Sequence, residues 1–118
     1  MIAKVDKPWG HEIIWASTEK YIGKILCIKK GEMLSYQYHE IKDETIYLYS
    51  GLMDVEIENG KERKKVTLNP GQGIRIPPLT KHRMIAIENC EVLEVSTPEL
   101  SDVVRLEDVY GRVKGHEK

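Results

Sequence analysis

This sequence predicts an all-β fold, a sandwich or barrel of short strands, and three observations carry that prediction. Apolar and polar residues alternate with period two in run after run, as in residues 52–58 (LMDVEIE), the pattern of strands with one dry and one wet face. Clusters of Gly, Pro and Asn, among them Lys30-Gly31, Asn59-Gly60 and Asn69-Pro70-Gly71, interrupt the runs at short intervals. No stretch before residue 99 carries an apolar stripe at helical spacing. About eight or nine strands result, and a closed barrel or double sheet removes the edges they would otherwise expose.

Residues 1–12 form an N-terminal arm in which Pro8 and Gly10 turn around Trp9, and residues 13–15 begin the first strand. Residues 21–29 (YIGKILCIK) form a second, rich in β-branched and aromatic residues. The stretch 31–51 holds two strands separated by a break at Lys42-Asp43. In the first, Ser35, Gln37 and His39 point one way and Leu34, Tyr36 and Tyr38 the other; in the second, Glu44, Ile46 and Leu48 oppose Thr45, Tyr47 and Tyr49. If the polar faces turn inward, imidazole, amide and carboxylate converge at one end of the barrel.

Residues 52–58 and 62–68 pair across Asn59-Gly60, a type I′ hairpin signal, with Arg63, Lys64 and Lys65 able to face Glu56 and Glu58. Residues 73–76 make a short strand that Pro77-Pro78 ends, and the loop 79–81 delivers His82. Strands at 82–87 and 90–96 follow. Residues 99–118 read as an acidic tail that crosses the barrel exterior or reaches a neighbouring subunit. The four tyrosines opposite the polar faces, Tyr36, Tyr38, Tyr47 and Tyr49, are filling between sheets or an interface.

With 118 residues, a single domain around one core is expected over residues 1–118. The net charge of -1, with 31% charged and 41% hydrophobic residues, gives no pull toward nucleic acid or an acidic membrane. No apolar run approaches the ~18 residues of a membrane span, and MIAKVDKPWGHE lacks a signal-peptide core, so a cytoplasmic location is expected. Cys27 and Cys90 stand singly among apolar residues, as reduced thiols do.

One carboxylate (Glu44), two imidazoles (His39, His82) and an amide oxygen (Gln37) suit a borderline divalent ion, Zn, Mn, Fe, Co or Ni, with positions left open. Burying four such groups with neither metal nor mutual hydrogen bonds would cost about 1 to 3 kcal/mol apiece.

The spacing Gly31-x5-Gln37-x-His39-x4-Glu44-x6-Gly51 resembles the first motif of the cupin superfamily, with Gln37 in place of its first histidine. Gly71-x5-Pro77 followed by His82 resembles the second, with Leu79 at a position usually held by glycine and Ala86 at one usually held by asparagine. Further matches are Pro8-Trp9-Gly10 with Glu12, Leu34-Ser35, Ile76-Pro77, His82-Arg83, Leu93-Glu94-Val95, and Asp102 through Arg112. Together these are similar to type II mannose-6-phosphate isomerases and to the C-terminal cupin domain of bifunctional mannose-1-phosphate guanylyltransferase/isomerases. Lys42 and Thr45 depart from the arginine and histidine of that family.

The resemblance implies a double-stranded β-helix (jelly roll) with Gln37, His39, Glu44 and His82 as metal ligands. It implies a metal-dependent aldose-ketose isomerase acting on a small sugar phosphate, and a homodimer. Glu12, Tyr36 and Tyr47 are then candidates for the base, Lys42, Arg75, Arg83 and Arg112 for meeting the phosphate, with Lys42 also counted among the catalytic set. The alternatives are a sugar- or sugar-nucleotide-binding cupin without turnover, and a sugar-nucleotide epimerase-like cupin.

Overall fold

A computed structural model describes residues 2–113; Met1 and residues 114–118, the end of the tail drawn above, lie outside the described residues. Eleven strands run through them: β1 (Ala3–Lys7), β2 (Gly10–Ser17), β3 (Ile22–Ile28), β4 (Tyr36–Tyr38), β5 (Glu44–Ser50), β6 (Met53–Asn59), β7 (Glu62–Leu68), β8 (Gly73–Ile76), β9 (His82–Ala86), β10 (Cys90–Ser96) and β11 (Val104–Glu107). They form a six-stranded sheet in the order β1-β2-β3-β10-β5-β8 and a five-stranded sheet in the order β11-β4-β9-β6-β7. Trp9, Leu26, Ile28, Ile46, Leu48, Met53, Val55, Ile76, Met84 and Val92 fill the core. Ile46 and Leu48 are fully buried, each contributing about 1.5 to 3 kcal/mol of burial. No helix among the described residues is long and apolar enough to cross a membrane.

The alternation read in the sequence is the alternation of burial. In β5, Glu44, Ile46 and Leu48 are buried while Thr45, Tyr47 and Tyr49 are exposed. The hairpin at Asn59-Gly60 joins β6 to β7 with Gly60 at φ +68°. Gly10 sits where backbones crowd: a Cβ there would lie 2.0 Å from the Cys27 carbonyl oxygen, so only glycine lets β2 approach β3 at that point.

Two elements differ from expectation. The arm contains β1, which folds back on β2 with Lys7 opposite Gly10 and Ala3 opposite Ile14. The tail contributes β11 to the edge of a sheet, paired with β4, instead of crossing the outside. β1 is largely exposed, and β11 is half-buried at Val104 and Arg105 and exposed beyond them. Ladder hydrogen bonds hold them, so they carry little of the hydrophobic alternation by which strands are recognised.

Candidate metal centre

Two rows of side chains face each other inside the barrel. Across the five-stranded sheet, Arg105, Gln37, His82 and Ile57 are successive register partners. Across the six-stranded sheet the row is Ile22, Ser96, Glu44 and Ile76. Directly paired residues point to the same face, so Gln37 and His82 meet Glu44 across the interior, and His39 enters just beyond β4. Nε2 of His39 and Nε2 of His82 each lie 3.1 Å from the same Glu44 oxygen, Oε2. The three residues offer ligand atoms within 4.8 Å of one another, all buried.

The opposite ring nitrogens decide what those atoms are. Nδ1 of His82 donates to the Thr80 carbonyl at 2.9 Å, and Nδ1 of His39 to the carbonyl of Asp102. A carbonyl only accepts, so each imidazole carries its proton on Nδ1 and, when neutral, presents a lone pair on Nε2. Two lone pairs and a carboxylate oxygen then point at one another, an arrangement that needs a positive species among them. Nε2 of His82, although 3.1 Å from Glu44, makes no hydrogen bond of acceptable geometry among the described residues. Either both imidazoles take a second proton or a cation binds between them; the donor set fits a divalent metal. Burial by itself would raise the Glu44 carboxyl, but the imidazoles and the Lys42 ammonium outweigh it and hold the group well below the usual carboxylate range.

The site opens into a cavity of about 100 Å³ whose wall includes Glu12, Lys24, Gln37, His39, Lys42 and Glu94. Lys24 Nζ donates to both oxygens of Glu12 at 3.2 and 3.3 Å. Lys42 Nζ lies 3.3 Å from Glu44 Oε1 and 3.0 Å from Glu94 Oε2. Burial pushes the Glu94 carboxyl up, as does the Glu44 charge, against Lys42 and Lys24. Burial works against the Lys42 ammonium too, but Glu94 and Glu44 leave it above its usual value. Glu12, Glu44, Glu94, Lys24 and Lys42 are all buried.

The residues singled out in the sequence separate into two groups. Gln37, His39, Glu44, Glu12, Lys42 and Arg112 line the cavity, and His82 lies against Glu44 beneath it. Tyr36, Tyr47, Arg75 and Arg83 do not. Tyr36 is buried beneath Arg63, whose guanidinium carbon stands 3.7 Å over the ring. Tyr47 is exposed on the outer face of β5. Arg75 is outside too, paired with Asp43 at 2.7 Å. Arg83 donates to the carbonyls of Leu34 and Glu107 at 2.9 and 3.1 Å. Each sits an odd number of residues from an inward candidate residue on its strand or, as Arg75 does, opposite the outward Thr45, and strand alternation turns it away.

Four participants escaped the sequence reading. Lys24 and Glu94 are register partners on the inner faces of β3 and β10; a charge in an otherwise apolar inward series, as in Ile22, Lys24, Leu26, Ile28, was the available signal. Asp102 and Arg105, in the tail, gave none beyond the family motif. Gln37 accepts a hydrogen bond from the Ser35 hydroxyl, which aims its amide within the cavity.

Residues 24–96 match the family model described as the Cupin domain. The mannose-1-phosphate guanylyltransferase ManC of Salmonella typhimurium is 35% identical over 118 residues, taking in 96% of this chain and 24% of ManC. The alginate biosynthesis protein AlgA of Pseudomonas aeruginosa is 32% identical over 114 residues, 92% of this chain and 23% of AlgA. The chain thus spans about a quarter of the length of these relatives. Among solved structures, KdgF from Halomonas sp. is similar at a TM-score of 0.74 and 25% identity, with 82% of this chain and 88% of that one covered. Oxalate decarboxylase from Bacillus subtilis shares the fold at a TM-score of 0.76 and 14% identity, over 89% of this chain and 30% of that one. By the family match and the jelly-roll pairing of its two antiparallel sheets, the chain belongs to the cupin family, and it is related to the C-terminal cupin region of ManC and AlgA.

Proposed function

We propose that this cupin is a metal-dependent isomerase that interconverts the aldose and ketose forms of a sugar phosphate, of the mannose-6-phosphate type. The observation that carries the reading is the convergence of His39, Glu44 and His82 on one point beside a cavity ringed by buried carboxylates and ammonium groups. Relatives named for mannose-1-phosphate and alginate chemistry support a sugar-related substrate. A divalent metal held by His39, Glu44 and His82, with Gln37 as a further donor, supplies Lewis acidity toward a sugar carbonyl.

Isomerisation also requires a proton to move between adjacent carbons. Glu12, in the cavity wall, is positioned for that transfer. Its partner Lys24 and the neighbouring Lys42 provide positive charge where an enediolate would develop negative charge. The same reading makes the chain a homodimer, supported by an apolar row on the outer face of the six-stranded sheet: Ile13, Ile25, Leu93 and Tyr47 are successive register partners.

One observation favours a second reading, sugar binding without turnover. Glu12 and Glu94 are each held by a lysine, so neither carboxylate stands free as a base.

Elemental analysis of the purified chain beside the double variant His39→Ala, His82→Ala tests the metal, and conversion of mannose 6-phosphate to the ketose tests the reaction. Near-stoichiometric metal that vanishes in the variant, together with turnover, is the expected result. Metal with tight sugar binding but no turnover would move the conclusion to the second reading. A folded parent that carries no metal and cannot be reloaded would overturn the isomerase mechanism.

A further inference from the structure

We infer that Arg105 forms the oxyanion-binding subsite of the cavity and holds the anionic group of a sugar ligand beside the metal-type donors. The inference rests on the sugar-phosphate reading and assigns the recognition of its charge to β11. Lys42, Arg75 and Arg83 are thereby set aside: Lys42 is shared between Glu44 and Glu94, Arg75 is outside on Asp43, and Arg83 is committed to backbone carbonyls.

Position is the first support. Arg105 is the register partner of Gln37, which is the partner of His82. The three residues therefore stand on adjacent strands of one inner face, with strands about 4.8 Å apart. An anion at Arg105 lies along the same row as the metal-type donors, displaced sideways by one or two strands, which is the span of a small sugar. Both Arg105 and Arg112 line the cavity.

Unmet charge is the second. Among the described residues the Nε of Arg105 is buried without a hydrogen-bond partner, and the side chain makes no ion pair there. Asp108, whose charge acts on Arg105, is taken by Arg112: its oxygens accept from Arg112 Nε at 2.7 Å, Nη2 at 3.2 Å and the backbone N–H at 2.8 Å. Burial, and then the Arg112 charge, pull the Arg105 guanidinium below its usual pKa. A guanidinium that no carboxylate among the described residues satisfies, in a cavity wall, suits an oxyanion from outside, since its fork of donors matches phosphate and carboxylate alike.

The test compares the full chain with Arg105→Met and Arg105→Lys. Calorimetric binding is measured for mannose 6-phosphate, glucuronate and mannose, with thermal midpoints and mannose 6-phosphate kinetics on the same samples. Arg105→Met should weaken the anionic ligand that the parent prefers by roughly 10- to 100-fold while mannose binding holds. Arg105→Lys should fall between. The midpoint of Arg105→Met should stay level or rise, because the unmet charge is gone; a merely structural arginine would lower it. Preference for mannose 6-phosphate identifies a phosphate ester as the ligand's anion, and preference for glucuronate a carboxylate. If Arg105→Met binds both anionic sugars as the parent does, or if the parent binds neither better than mannose, the inference is overturned. Turnover that survives unchanged in Arg105→Met overturns this inference alone, whereas a parent that never turns over but shows the binding contrast overturns only the isomerase reading.

Discussion

Leu79 has φ +68°, left-handed backbone in a residue with a side chain, and its N–H donates to the carbonyl of the candidate ligand His39 at 2.7 Å. An L-residue there costs about 1 to 2 kcal/mol, and its side chain, 66% exposed, recovers little by packing. The backbone thus keeps the conformation of the glycine that the motif usually carries, under strain. Leu79→Asn, which tolerates this region while keeping a side chain, should raise the thermal midpoint by about 2 to 5 °C. A calorimetric scan checks it; a lowered midpoint would mean that the leucine makes a contact outweighing the strain.

At the scale of elements, the segment between β10 and β11 governs the loop between β4 and β5, which carries His39 and leads into Glu44. Asp102 accepts hydrogen bonds from the N–H groups of Glu40, Ile41 and Lys42 at 3.0, 2.7 and 2.9 Å, and its own carbonyl receives His39 Nδ1–H. Those three N–H groups, foremost Lys42's, hold the Asp102 carboxyl below its usual value of 3.8. A depressed acid stabilises the fold above its unfolded-state value, and that stabilisation disappears as pH falls through the lower folded-state value. The thermal midpoint of the parent should therefore exceed that of Asp102→Asn at neutral pH, and the two should converge below about pH 4. Metal affinity of the variant, by titration at pH 7, should drop about 10- to 100-fold, the usual effect of loosening the group behind a histidine ligand. Unchanged affinity would show that the loop keeps its shape without the clamp.

The whole molecule adds the apolar row on the outer face of the six-stranded sheet, half-buried at Ile13, Ile25 and Leu93 and exposed at Tyr47, and flanked by exposed Trp15, Tyr49 and Val95. A two-fold axis would place this self-similar row against its own copy. Sedimentation equilibrium should give twice the chain mass, and Leu93→Lys, at the centre of the row, should give a monomer with its metal content intact. A parent that sediments as a monomer at tens of micromolar would remove the dimer from the proposal.

The all-β architecture, the inward series Gln37, His39, Glu44 and the hairpin at Asn59-Gly60 were determined by the sequence itself, because period-two burial and positive-φ turns are local properties that residue order encodes directly. The lysine-carboxylate ring of Glu12, Lys24, Lys42 and Glu94 arises from four separate segments, and only the register of β3 against β10 sets Lys24 opposite Glu94. Tyr36, Tyr47, Arg75 and Arg83 had suitable chemistry but the wrong parity, which matters only once a strand has an inside. β1 and β11 are held by backbone ladders that any sequence can make. It was therefore tertiary structure that brought Arg105 to the cavity and left its Nε without a partner among the described residues.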